Sequence, residues 1–163
     1  MRSAPRSQRT LEEAAPDSVL NFRYLGHIFV KAAPESWEMT ENGTRAVWSP
    51  LPGVQVVTEI ALCDGGHLRR PTVTSEITCE AFDAGFAVPD DCPGAAHSCT
   101  AIAARAEHPG GFCAAEDLTD CGKPLVLEPM PNTSLQYPRT VIPMVQYAIH
   151  PSTTVLETKV TFA

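Results

Sequence analysis

Val54-Gln55-Val56-Val57-Thr58-Glu59-Ile60-Ala61-Leu62 is the stretch whose pattern decides the fold class. In an extended chain Val54, Val56, Thr58, Ile60 and Leu62 fall on one face and Gln55, Val57, Glu59 and Ala61 on the other. Thr72–Phe82 alternates more strictly. Val73, Ser75, Ile77, Cys79 and Ala81 point one way, while Thr72, Thr74, Glu76, Thr78 and Glu80 point to solvent. A sheet with one wet face is antiparallel, because parallel sheets are covered on both faces.

Working outward, Thr154–Phe162 alternates again, with Leu156, Thr158, Val160 and Phe162 on one side. Val19–Lys31 reads as a strand bulged or bent at Gly26. Leu135–His150 is an apolar run broken by Pro138 and Pro143, which predicts one bent strand or two strands at a sheet edge. Asn42-Gly43 between two alternating runs predicts a type I′ hairpin, with Glu41 opposite Thr44 and Trp37 opposite Trp48. Facing tryptophans favour a core or interface patch over a carbohydrate-stacking surface.

Fifteen prolines spread along the 163 residues limit long helices. The expected fold is therefore all-β: an antiparallel β-sandwich of jelly-roll type, with eight or nine strands and a compact barrel as the alternative. Residues 1–18 form a basic arm, and 19–163 a single β-domain. Within it, 83–124 loses periodicity and is expected as a long, irregular, acidic, Cys-rich excursion, with Ser98–Arg105 a strand inside it.

The net charge is −7, and between Glu76 and Glu128 ten acidic residues face only Arg105 and Lys123. Such a surface repels phosphate backbones and argues against a nucleic-acid partner. No run of about 18 apolar residues offers a membrane-spanning helix. The N-terminal stretch MRSAPRSQRTLEEAAPD lacks the apolar core of a secretory signal.

All six cysteines lie between Cys63 and Cys121, with no CxxC pair. Cys63, Cys79, Cys92, Cys99, Cys113 and Cys121 are disulfide candidates, with Cys92–Cys99 and Cys113–Cys121 closing short loops. Free thiols are the second reading, Cys79 best placed for one on its apolar face. A zinc site drawn from Cys92, His97, Cys99 and Cys113 is the third, against spacings that fit no usual structural zinc motif. No catalytic or cofactor motif is present: there is no G-x-S-x-G, P-loop, G-x-G-x-x-G or H-E-x-x-H. No cofactor is expected.

The functional expectation is a non-enzymatic structural subunit of a virion or phage particle, acting through self-association and contacts to a larger protein assembly. Arg2, Arg6 and Arg9 of the arm, with Trp37 and Trp48, are its interface candidates. The alternatives are a disulfide-stabilised extracellular module that binds protein or glycan through its loops, and a zinc-stabilised interaction module.

Overall fold

The computed structural model describes residues 20–29, 34–128 and 140–163. Fifteen strands follow one another in these segments. They are β1 (Leu20–Tyr24), β2 (His27–Phe29), β3 (Ser36–Thr40), β4 (Gly43–Leu51), β5 (Val54–Cys63), β6 (Gly66–Ser75), β7 (Cys79–Ala84) and β8 (Val88–Pro89). The remainder are β9 (Ala96–Cys99), β10 (Ala103–His108), β11 (Gly111–Asp117), β12 (Lys123–Leu127), β13 (Thr140–Ile149), β14 (Ser152–Val155) and β15 (Thr158–Phe162). All pairings are antiparallel. The expected all-β antiparallel sandwich is the fold observed. Among the described residues no helix is long and apolar enough to cross a membrane.

The two sheets differ in width. The narrow one runs β12-β13-β7-β1-β2, with β8 also on β13. The wide one runs β3-β4-β5-β6-β15-β11-β10-β9, with β14 also on β6. The core lies between them: Leu20, Phe22, Ala81, Val145, Tyr147 and Ile149 from the narrow sheet meet Trp48, Val54, Val56, Val73 and Ala115 from the wide one. Phe22 and Trp48 meet edge to face at 6.0 Å. Ala104 and Ala106 are wholly buried on β10. Their small side chains let β10 approach β12 and β13 closely, which explains an alanine-rich run with weak periodicity.

Several local expectations are corrected. The tight hairpin with two positive φ values is Leu25-Gly26 (φ 50° and 78°), joining β1 to β2, and not Asn42-Gly43. Gly43 instead belongs to β4. A Cβ there would meet the Ile60 carbonyl oxygen at 1.7 Å, so the glycine permits close pairing with β5. The turn falls on Glu41-Asn42, and Trp37 pairs with Ala46, Met39 with Thr44. Trp37 and Trp48 share a face but are diagonal neighbours.

Thr72–Phe82 is not one strand. The chain leaves the wide sheet after Ser75 and enters the narrow one at Cys79. The Ser75 hydroxyl fastens this crossing, accepting from Ile77 N at 3.1 Å and donating to Ile77 O at 2.7 Å. Thr154–Phe162 likewise divides into β14 and β15, which lie end to end along β6. The break is at Leu156, whose N–H donates to the Pro71 carbonyl.

Segment 83–124 is not an irregular excursion: it carries the end of β7, β8 to β11 and the start of β12. Ser98–Arg105 is neither one strand nor a helix, since it spans the end of β9, a turn and the start of β10. β13 is not an edge, for β12 and β7 flank it. Pro143 is tolerated because its pairing with β7 begins only at Met144 and that with β8 ends at Val141. The predicted arm, with Arg2, Arg6 and Arg9, and the part of the Leu135–His150 run before Thr140 lie outside the described residues.

Because Phe22 is fully buried against Trp48, Phe22→Ala is expected to cost about 3–5 kcal/mol of unfolding free energy. Urea unfolding measures this, and a loss below about 1 kcal/mol would contradict the packing described.

Candidate functional site

Burial falls away along the inner face of β5. Val54 and Val56 are buried, Thr58 and Ile60 half-buried, and Leu62 is 72% exposed. The strand keeps its alternation throughout, but the narrow sheet covers only its first half. The same happens on the neighbouring strands: Trp48 is buried on β4, whereas Trp37 (63% exposed) and Met39 (70% exposed) stand open on β3.

This uncovered inner face forms a cleft of about 350 Å³. Its floor is Thr44, Ala46, Trp48, Thr58 and Ile60, its rim includes Trp37 and Pro34, and its far wall is Leu20, Arg69, Pro71 and Asp83. Trp48 is fixed by donating its indole N–H to Thr58 Oγ1 at 3.0 Å. Thr44 and Ile60 continue into a second depression that holds Met39 and Leu62.

A buried ion pair closes the inner end. Arg69 of β6 donates through Nη1 to Asp83 Oδ1 of β7 at 2.8 Å, so the bond joins the two sheets. Both side chains are nearly inaccessible, at 3% and 2% exposure. Burial pushes the Asp83 carboxyl above its ordinary range, and Arg69 pulls against that shift. The same guanidinium donates to the Ala84 carbonyl.

Arg69 also donates through Nε to His67 Nε2 at 2.8 Å. A guanidinium has no acceptor and does not lose its proton, so His67 Nε2 must be the unprotonated nitrogen. His67 is therefore neutral and carries its proton on Nδ1. Burial, followed by the charge of Arg69, lowers its pKa to about 4. Its ring sits against Phe86 and Phe162, with centroids 6.1 and 6.0 Å away, and those two rings meet at 5.2 Å. Phe86 and Phe162 are half exposed.

Deeper in the sandwich, Tyr147 Oη donates to Asp117 Oδ1 at 3.2 Å and shares a 2.8 Å hydrogen bond with Thr158 Oγ1. Burial opposes the Asp117 charge, but bonds from Thr119, Gly122 and Tyr147 outweigh it and hold this carboxyl below its ordinary range. Asp117 thus ties down the loop to Gly122, the service expected of a disulfide at Cys121.

All six cysteines are unpaired in the structure. Cys79 and Cys113 are buried, and burial raises both thiols. Cys113 Sγ accepts from Phe86 N at 3.3 Å. Cys92 is half-buried, while Cys63, Cys99 and Cys121 are exposed. His97 lies 3.6 Å from Asp90 and 3.5 Å from Glu128. Among the described residues no group of three or more His, Cys, Asp or Glu side chains is placed to hold a metal ion. Cys92, His97, Cys99 and Cys113 are thus not drawn into a metal-binding cluster. Of the interface candidates, Trp48 belongs to the core and the floor of the cleft, and Trp37 to its rim. The sequence reading did not single out His67, Arg69 and Asp83 as a group. Two ionisable residues two apart on one face were the available signal.

No protein-family model matches the chain, and no curated protein matches it in sequence. Solved structures share its fold. Heparan sulfate lyase HepC from Pedobacter heparinus superposes with a TM-score of 0.65 at 11% identity, over 91% of this chain and 24% of that one. The 4-alpha-glucanotransferase from Thermococcus litoralis gives 0.58 at 13% identity, over 88% and 27%. An aldose 1-epimerase candidate from Escherichia coli K12 gives 0.51 at 10% identity, over 92% and 82%. The chain thus spans about a quarter of the length of the first two proteins. These likenesses correct the expected virion or phage-particle role: the three structures named are carbohydrate-processing enzymes, and none is a shell or tail component.

The His67 assignment predicts a neutral Nδ1–H imidazole in ¹⁵N NMR spectra at pH 7. An Nε2–H tautomer would contradict it. Because the folded pKa lies below the unfolded 6.5, the unfolded chain binds the extra proton first. Stability is therefore expected to fall as pH drops from about 6.5 towards 4, and His67→Gln to flatten that slope in urea titrations.

Proposed function

We propose that this β-sandwich binds saccharide through the uncovered inner face of its wide sheet. The carrying observation is Trp37, 63% exposed on the rim of an open cleft with an apolar floor. Large apolar side chains left together in a concavity mark a binding site. An aromatic ring offers an apolar plane to the C–H face of a sugar. The hydroxyls of Thr44 and Thr58 stand beside it for the sugar's polar edge. Support of a second kind comes from the fold, which recurs in a heparan sulfate lyase and a 4-alpha-glucanotransferase.

The role assigned to the cleft is binding and not bond cleavage. Its ionisable wall residues, Arg69 and Asp83, are buried and engaged with each other. His67 Nε2, the nitrogen that would act as a base, is occupied by Arg69. A saccharide bound here is released unchanged.

Affinity electrophoresis through gels containing heparan sulfate or an α-1,4-glucan tests the reading. Retardation is expected in at least one gel, with Trp37→Ala weakening it about tenfold, as loss of roughly 1.4 kcal/mol would. Trp37→Phe should retain most binding. Mobility unaffected by either polysaccharide, or retardation indifferent to Trp37→Ala, would overturn it.

A further inference from the structure

The cleft at Trp37 is one end of a longer apolar path. Thr44 and Ile60 are common to it and to the depression holding Met39 and Leu62. Leu62 pairs across β5 and β6 with His67 on the same face. His67 in turn meets Phe86 and Phe162. The path therefore presents three exposed apolar stations: Trp37, then Met39 with Leu62, then the Phe86–Phe162 pair around His67.

Its length follows from the sheet. β3 and β15 are four strand spacings apart, roughly 19 Å. Trp37 lies level with Pro71 through Ala46 and Thr58, whereas Phe162 N bonds Gly65 O at the other end of β6. That offset of six residues adds roughly 20 Å along the strands. A single sugar ring covers only one station.

Resting on the saccharide reading above, we propose that the ligand is an extended oligosaccharide chain laid diagonally from Trp37 to Phe162, and not a monosaccharide. Polar groups lie among the stations: Thr44 pairs with Met39, and His67, with its Nδ1–H, lies between Leu62 and Phe162. A linear glycan, apolar on its ring faces and polar at its edges, matches that arrangement. A purely apolar ligand would leave the His67 donor without a partner.

Two chain-length series test this by isothermal titration calorimetry: glucose, maltotriose and maltohexaose, and heparan sulfate di-, tetra- and octasaccharides. In whichever series binds, affinity is expected to rise at least tenfold from the shortest member to the longest. Leu62→Ser and Phe162→Ala should each lower affinity for the longest member severalfold. Affinity for the shortest member, seated at Trp37, should stay unchanged. Leu62 is 72% and Phe162 43% exposed, and melting curves matching the wild type would show that both variants are folded. Equal affinity across a series, or variants that bind the longest member like wild type, would overturn the extended site and leave saccharide binding intact. Absence of binding in both series would remove the saccharide reading and this inference together.

Discussion

Two antiparallel sheets of unequal width cannot cover one another. The wide sheet reaches past the narrow one at β3 and the adjoining parts of β4 and β5, and among the described residues nothing lies opposite the inner faces there. The chain meets this constraint by grading its side chains. Valines fill β5 where the narrow sheet lies above, Thr58 and Ile60 follow at the boundary, and Leu62 stands in the open. Trp48 closes the core at the margin, packed on Phe22 and anchored to Thr58. An overhanging face kept apolar this way costs solubility, and the proposed saccharide binding gives Trp37 and Met39 a use.

The Arg69–Asp83 bond sits where the sheets part. A buried ion pair is weak evidence of net stabilisation, because desolvation offsets much of the attraction. Its effect here is positional. It joins β6 to β7 across the sandwich, and it leaves Arg69 Nε to hold His67 in one tautomer. The wall of the cleft and the donor at its far end thus depend on a single guanidinium. Asp117 plays a comparable part close by, level with Arg69 across β15, where it gathers Thr119, Gly122 and Tyr147.

Much of the sandwich could be read from alternation alone. The two faces into which Val54–Leu62 divides are those observed, the face of Val54 and Val56 being the inner one, and Trp37 was correctly placed on the same face as Met39, Ala46 and Trp48. Boundaries were harder, for physical reasons. Strands that change sheets, such as Thr72–Phe82, keep their period through the crossing, so nothing in the pattern marks the break after Ser75. Gly43 invited a turn because glycine permits positive φ, but here it serves close backbone approach to Ile60. The Cys-rich segment looked irregular because β10 uses alanine where two sheets come close, and alanine carries little periodic signal. The site itself was half legible. Trp37 was a candidate, yet its exposure follows from the width of a sheet assembled from distant segments. His67, Arg69 and Asp83 meet only because β6 and β7 lie in different sheets.

The claim that joins fold to function is that the overhanging inner face of β3–β6 is the binding surface. Amide chemical-shift mapping of the ¹⁵N-labelled protein on titration with maltohexaose or a heparan sulfate octasaccharide addresses it directly. The account predicts that the largest shifts cluster at Trp37, Met39, Thr44, Ile60, Leu62 and His67, with the Trp37 indole resonance among them. Shifts centred on the strands far from the overhang, β9, β10 and β12, or none at saturating saccharide, would contradict it.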